Sequence, residues 1–212
     1  MKHVIYWVSV LLLGTTPAWA SNRAGGALSV SPTKVCPTSK ASCRPALLIQ
    51  GGFDHKGQLI SQFNHAFNTS PKPQVVVFDS FGGRVTDAIQ LARLIRQYRL
   101  DTYLRSSDDC QSACVYAFAG GIHRSIEEGS YVGVHKHAPT LDEDNAQDAQ
   151  DVVLSITLNF IQAQVNLNIL VFILANEKVF ELTPNCSRML NLDNTTPPTS
   201  IPNACGEIVW QN

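Results

Sequence analysis

Net charge is what this sequence most conspicuously lacks: 16 basic side chains face 17 acidic ones over 212 residues, leaving −1. That balance offers no electrostatic footing for nucleic acid or for an anionic membrane surface, and no nucleic-acid partner is expected. Cysteines at paired C-x-x-C spacing are absent as well, which argues against a zinc site; no metal and no other cofactor is expected. Internal repeats and low-complexity tracts are missing. So is an unbroken apolar run suited to the membrane interior. Residues 152–175 come nearest, but Ser155, Thr157, Asn159, Gln162, Gln164, Asn166 and Asn168 interrupt them. Such groups are costly in hydrocarbon, so this stretch reads as two packed helices with a break near Asn166 to Asn168.

What is present fits one folded domain, with 44% hydrophobic and 16% charged residues and a length that can bury a substantial core. The first twenty residues stand apart. Met1-Lys2-His3 is a short basic start, residues 4–13 are almost wholly apolar, and Ala18-Trp19-Ala20 has the small-x-small form of a signal-peptidase site. The apolar core is too short to span a bilayer comfortably. Residues 1–20 are therefore expected to be a signal peptide cleaved after Ala20, leaving a periplasmic or secreted chain with no stable membrane span. Cys36, Cys43, Cys110, Cys114, Cys186 and Cys205 all lie beyond it, an even set that points to disulfides in an oxidising compartment. Six cysteines allow fifteen pairings, among which neighbour-to-neighbour linkage (36–43, 110–114, 186–205) is the simplest.

Residues 21–45, rich in Ser, Pro, Thr and Gly, read as an irregular N-terminal arm. The domain proper is expected over 46–194, with a loop-like tail at 195–212 and loop character already from Asn185. Ala46-Leu47-Leu48-Ile49 is a short buried strand ended by Gly51-Gly52. Leu59, Ile60, Phe63, Ala66 and Phe67 mark one face of a helix. Val75-Val76-Val77-Phe78 is a strand of the kind covered on both faces. Val85, Ala88, Ile89, Ala92 and Ile95 form a second helical stripe. Thr102-Tyr103-Leu104 is a third strand, 113–119 a buried helix of small residues, and Tyr131-Val132-Gly133-Val134 a fourth strand. Residues 139–151, acidic and polar, read as a surface loop. Strands alternating with helices imply a mainly parallel α/β sheet.

Serine needs a base within hydrogen-bond reach to become a nucleophile, and acyl transfer needs donors for the developing oxyanion. Ser112 lies between a strand-like segment and a helix, where the amide of Ala113 is left unpaired by helix geometry. Gly82 and Gly83 end another strand and allow close approach to the backbone. His135, at a strand end, suits the base, and His137 shares its strand parity as a rival.

These residues occur in an order that resembles the Clp protease proteolytic subunit and its exported ClpP/crotonase-like relatives. Ser80-Phe81-Gly82-Gly83 is similar to the family's Ser-Pro-Gly-Gly, Gln111-Ser112-Ala113 to its nucleophile turn, and Ala119-Gly120-Gly121 with Arg124 to its Ala-Gly-x-x-x-Arg stretch. Val132-Gly133-Val134-His135 resembles the element carrying the catalytic histidine, and Phe180-Glu181-Leu182-Thr183-Pro184 through Leu192 the segment leading to the family's closing Tyr-Gly-Leu-Ile-Asp. The resemblance implies a fold of repeated β-β-α units with a mainly parallel sheet and packed helices. It also implies a serine peptidase acting on peptide or protein, with Ser112 and His135 catalytic and Gly82, Gly83 and Ala113 forming the oxyanion hole. A homo-oligomer is compatible with it, without the ATPase partner of the cytosolic members, since an exported protein has no ATP supply. The family's catalytic aspartate has no counterpart before Leu182; Asn176 and Glu177 are the nearest groups able to orient an imidazole. The alternatives are a non-catalytic peptide- or protein-binding module of the same fold, a thioester-handling crotonase-like site, and a Ser–Lys pair through Lys136. The last is disfavoured because Lys136 takes the opposite strand face from His135.

Overall fold

A computed structural model describes residues 26–36, 42–69, 71–136, 146–198 and 205. The sheet is built on the apolar run Val75–Asp79 (β3), flanked in parallel by Arg44–Gln50 (β2) and Asp101–Leu104 (β4). Side chains alternate across a strand. Val76 and Phe78 accordingly enter the main core with Leu47, Ile49 and Leu104, while Val75 and Val77 join Ala46 in a smaller cluster on the other face. Arg124–Ile126 (β6) pairs in parallel with β4, and Ser29–Val35 (β1) closes the opposite edge antiparallel to β2, giving the order β1-β2-β3-β4-β6.

The crossovers between the parallel strands are helices, as βαβ geometry requires. Gln58–Thr69 (α1) connects β2 to β3 and buries Leu59, Ile60, Phe63 and Ala66. Val85–Gln97 (α2) connects β3 to β4 and buries the stripe read from the sequence, with Leu91 added. A second sheet of three strands stands beyond the end of β3: Asp109–Gln111 (β5) is parallel to Tyr131–Val134 (β7), and Phe180–Glu181 (β8) is antiparallel to β7. An isolated bridge between Ser80 and Cys110 stitches the two sheets together. Ala113–Phe118 (α3) is wholly buried, and Ala146–Gln162 (α4), Ile169–Ala175 (α5) and Pro184–Met189 (α6) complete the packing. Among the described residues no helix is long and apolar enough to cross a membrane. The break at 163–168 separates α4 from α5 where the polar interruptions fall.

Four sequence expectations are corrected. The arm at 21–45 is not irregular throughout, because β1 pairs along its whole length with β2. Its Pro32 is tolerated on an edge strand, where a missing donor costs no ladder bond. The loop expected at 139–151 already contains the first turns of α4 from Ala146, and the loop expected from Asn185 contains α6. That helix starts at a capping threonine: Thr183 Oγ1 accepts from the Cys186 amide at 3.1 Å, and Pro184 occupies the first turn. Finally, Tyr131–Val134 is the strand expected, but the single sheet is not: this strand is the centre of a second, small one. The cysteines are paired as Cys36–Cys43, Cys110–Cys114 and Cys186–Cys205. Residues 1–20 lie outside the described residues.

Candidate active site

Beyond β3 the chain is pinned by backbone bonds from both sides. The Ser80 amide donates to Asp109 O at 2.7 Å, and the Gln111 amide donates to Ser80 O at 3.0 Å. The fully buried Ser80 hydroxyl donates to Gly51 O at 2.6 Å and accepts from the Gly82 amide at 3.1 Å. On the other side Phe53 clamps the turn: its amide donates to Gly82 O at 2.7 Å and its carbonyl accepts from the Arg84 amide at 3.1 Å.

The turn bends against the start of α3. Gly82 has φ +84°, and a Cβ there would lie 2.6 Å from the Ala113 nitrogen, 2.6 Å from Gln111 O and 3.0 Å from the Cys114 nitrogen. All three are backbone atoms, so only glycine fits. The glycine turn and the serine turn therefore touch. They do not present all three expected donors, however. The Gly82 amide is engaged by Ser80 Oγ, which removes it from the oxyanion set. The amides of Gly83 and Ala113 enter no hydrogen bond among the described residues, and Gly83 is exposed.

Ser112 stands between β5 and α3 with φ +54° and ψ −126°, a sparsely populated conformation for a residue with a side chain. Although it occupies the N-cap position, its hydroxyl makes no capping bond. Its amide donates to Gly133 O at 2.8 Å, which ties the turn to β7. The buried Cys110–Cys114 disulfide brackets the same turn, with Cα atoms 5.3 Å apart.

His135 follows β7, two residues beyond the glycine that receives the Ser112 amide. Its Nδ1 lies 2.8 Å from the carbonyl oxygen of Lys136. A carbonyl only accepts, so Nδ1 carries the proton, and in the neutral ring Nε2 is left with the lone pair that a general base needs. The neighbouring backbone is fixed in turn by the Lys136 amide, which donates to Asn176 O at 2.6 Å. Asn176 thus reaches this segment through its main chain, while its side-chain amide donates to Phe172 O at 2.7 Å and closes the end of α5. Glu177 is exposed, and among the described residues neither side chain hydrogen-bonds to the imidazole. His137 lies outside the described residues.

Two features escaped sequence reading. The partner of His135 Nδ1 is a backbone carbonyl, which leaves no mark in a sequence. The clamp at Phe53 is backbone too, and it equally leaves no mark in a sequence. Arg124 proves to be a buttress away from the chemistry: it is buried and donates to the carbonyls of Gly121, Asn191 and Leu192 at 2.8–3.0 Å. Burial pushes its guanidinium down to about 10.

Neither a protein-family profile nor a curated protein matches this sequence. Solved structures do match. A mutant of ClpP1 from Listeria monocytogenes superposes with a TM-score of 0.53 at 13% identity, covering 73% of this chain and 92% of that one. Two mutants of the 1510-N membrane-bound stomatin-specific protease follow at 16% identity, with TM-scores of 0.52 and 0.51. Each covers 69% of this chain, and 75% and 71% of its own; the second holds a substrate peptide. The chain has the ClpP-like fold. Within it the serine turn lies between the glycine turn and β7, and among the described residues no hydrogen bond joins the Ser112 hydroxyl to the His135 imidazole.

Proposed function

We propose that this ClpP-like chain is an exported serine hydrolase, a peptidase acting on peptide or protein outside the cytoplasm. The observation that carries this reading is Ser112: a non-glycine residue held at φ +54° on a strand-to-helix turn, its hydroxyl not used as a helix cap. Strain of this kind persists where the surroundings over-determine it, and here β7, the disulfide and Gly82 all bear on the turn. On this reading the Ser112 hydroxyl attacks the substrate carbonyl and passes its proton to Nε2 of His135. The amides of Gly83 and Ala113 receive the oxyanion. The imidazolium then protonates the leaving amine, and water repeats the sequence to release the acyl group. The Lys136 carbonyl takes the orienting role that a carboxylate has in a full triad. It holds the tautomer, but it carries no formal charge with which to stabilise the imidazolium.

Three disulfides and the leader-like first twenty residues support the exported location. Assembly into a homo-oligomer belongs to the same proposal, and light scattering of the purified chain tests it. A Ser–Lys pair fits less well, because Lys136 is exposed and its backbone, through its amide, is tied to Asn176. The uncharged partner of His135 favours the second reading, a peptide-binding module that does not turn over. A fluorophosphonate probe separates the two. Labelling of the native chain, abolished by Ser112→Ala and by His135→Ala but kept by His137→Ala, is expected for the hydrolase. A native chain that never labels is the binding module.

A further inference from the structure

At the far end of the parallel strands, away from Ser112, the surface is cationic. Arg44 opens β2, Gln74 precedes β3 and Asp101 opens β4, so these residues share the N-terminal edge of the sheet. The length of β3 alone separates this edge from the glycine turn by roughly 15 Å. Here Arg44, Lys72, Pro73, Gln74, Tyr98 and Arg99, with Leu100, line a cleft of about 380 Å³. Every charged side chain in that lining is a cation. Arg44 is held in place: its guanidinium donates to Asp101 Oδ2 at 2.5 Å and to Gln74 Oε1 at 3.2 Å. Asp101 is itself shared with His123, whose Nδ1 lies 2.9 Å away. Among the described residues no carboxylate pairs with Lys72 or Arg99.

Arg99 is the telling residue. It follows α2 at φ +56°, with its amide donating to Arg96 O at 3.0 Å and the Leu100 amide donating to Ile95 O at 2.9 Å. That is the Schellman ending, whose left-handed position is ordinarily a glycine. An arginine there carries backbone strain that glycine would not, and it faces a cleft with two unmatched positive charges. Tyr98, stacked on Phe67 with ring centroids 4.3 Å apart, adds a fixed aromatic wall.

We propose that this cleft binds a phosphate group, with Arg44, Lys72 and Arg99 as its ligands and Tyr98 against the moiety that bears it. A dianion matches the two unpaired cations, and guanidinium groups hold phosphate oxygens through charge-assisted bonds. The phosphate of a soluble monoester and that of a lipid headgroup share this chemistry. The inference is independent of whether Ser112 is a nucleophile.

Calorimetric titration of the full chain at low salt with inorganic phosphate and with glycerol phosphate tests it. Sedimentation with phosphatidylcholine vesicles, with and without phosphatidic acid, runs alongside. Saturable phosphate binding is expected, weakened about tenfold or more by Arg99→Gly and by Lys72→Gln, the loss of one charge-assisted contact. Arg99→Gly is expected to keep or raise the melting temperature, so weaker binding in that variant cannot be laid to misfolding. Co-sedimentation that requires phosphatidic acid assigns the lipid headgroup; glycerol phosphate binding without co-sedimentation assigns a soluble monoester. Absence of saturable phosphate binding in the native chain, or binding by both variants as tight as that of the native chain, overturns the proposal.

Discussion

Gly82→Ala is the sharpest test of the contact between the two turns, and Gly57→Ala is its built-in control. Both glycines have positive φ, +84° and +72°, so an alanine at either pays the left-handed backbone strain of about 1–2 kcal/mol. Only the surroundings differ. A Cβ at Gly57 meets nothing within 4 Å, whereas a Cβ at Gly82 lies 2.6 Å from two backbone atoms and 3.0 Å from a third. Those atoms belong to β5 and α3, and they move only if the serine turn moves, an overpacking cost of about 1–3 kcal/mol. The expected losses are therefore roughly 2–5 kcal/mol for Gly82→Ala and roughly 1–2 kcal/mol for Gly57→Ala. Urea denaturation with unchanged m-values measures both. Fluorophosphonate labelling supplies the second readout, lost in Gly82→Ala and kept in Gly57→Ala. Equal destabilisation by the two, with labelling retained in both, would refute the claim that Gly82 seats the serine turn.

The disulfides separate stability from site geometry. Replacing Cys186 and Cys205 by alanine removes a 19-residue link worth about 3 kcal/mol and is expected to leave probe labelling intact. Replacing Cys110 and Cys114 removes a much shorter link worth about 2 kcal/mol, yet it is expected to cut labelling, because the bond brackets Ser112. Arg124→Met strands three carbonyl acceptors and is expected to cost about 3 kcal/mol or more in chemical denaturation, and a variant within 1 kcal/mol of native would contradict its buttress role. For Asp101, burial alone would raise the carboxyl, but the hydrogen bonds from Arg44 and His123 outweigh it and hold it below the usual carboxylate range. Its folded pKa is thus below the unfolded value near 4, so its stabilisation is full above that value and is lost as pH falls through the folded one. Asp101→Asn is expected to lower stability at pH 6 and to narrow the gap from native as pH drops toward 2. A constant gap across that range would remove Asp101 from the acid response.

Local periodicity explains which parts of this molecule can be read in its sequence. The run at Val75 and the stripes of α1 and α2 announce themselves because each repeats a pattern over several residues, and the simplest cysteine pairing is the one found. Strands of two or three residues such as β5, β6 and β8 have no room for a period; pairing with distant segments creates them. The candidate site divides along the same line. Ser112, Gly83 and His135 are visible as residue types in order, but the groups that position Ser112 and His135, Gly133 O and Lys136 O, are backbone atoms that any residue supplies. Gly82 illustrates the difference: read as an oxyanion donor, it turns its amide inward to Ser80 Oγ, and its requirement for glycine comes instead from the Ala113 and Cys114 nitrogens packed where a Cβ would be. Asn176 is the mirror case. Its side chain suggests an orienting amide, yet it holds the histidine segment through its carbonyl, and the imidazole bonds to Lys136 O. The missing aspartate is therefore not replaced by another acidic side chain among the described residues. If Ser112 turns over substrate, it does so with a base held by the main chain. Histidine-to-alanine loss of labelling, without any effect from Asn176→Ala beyond that of α5 stability, is the result this arrangement requires.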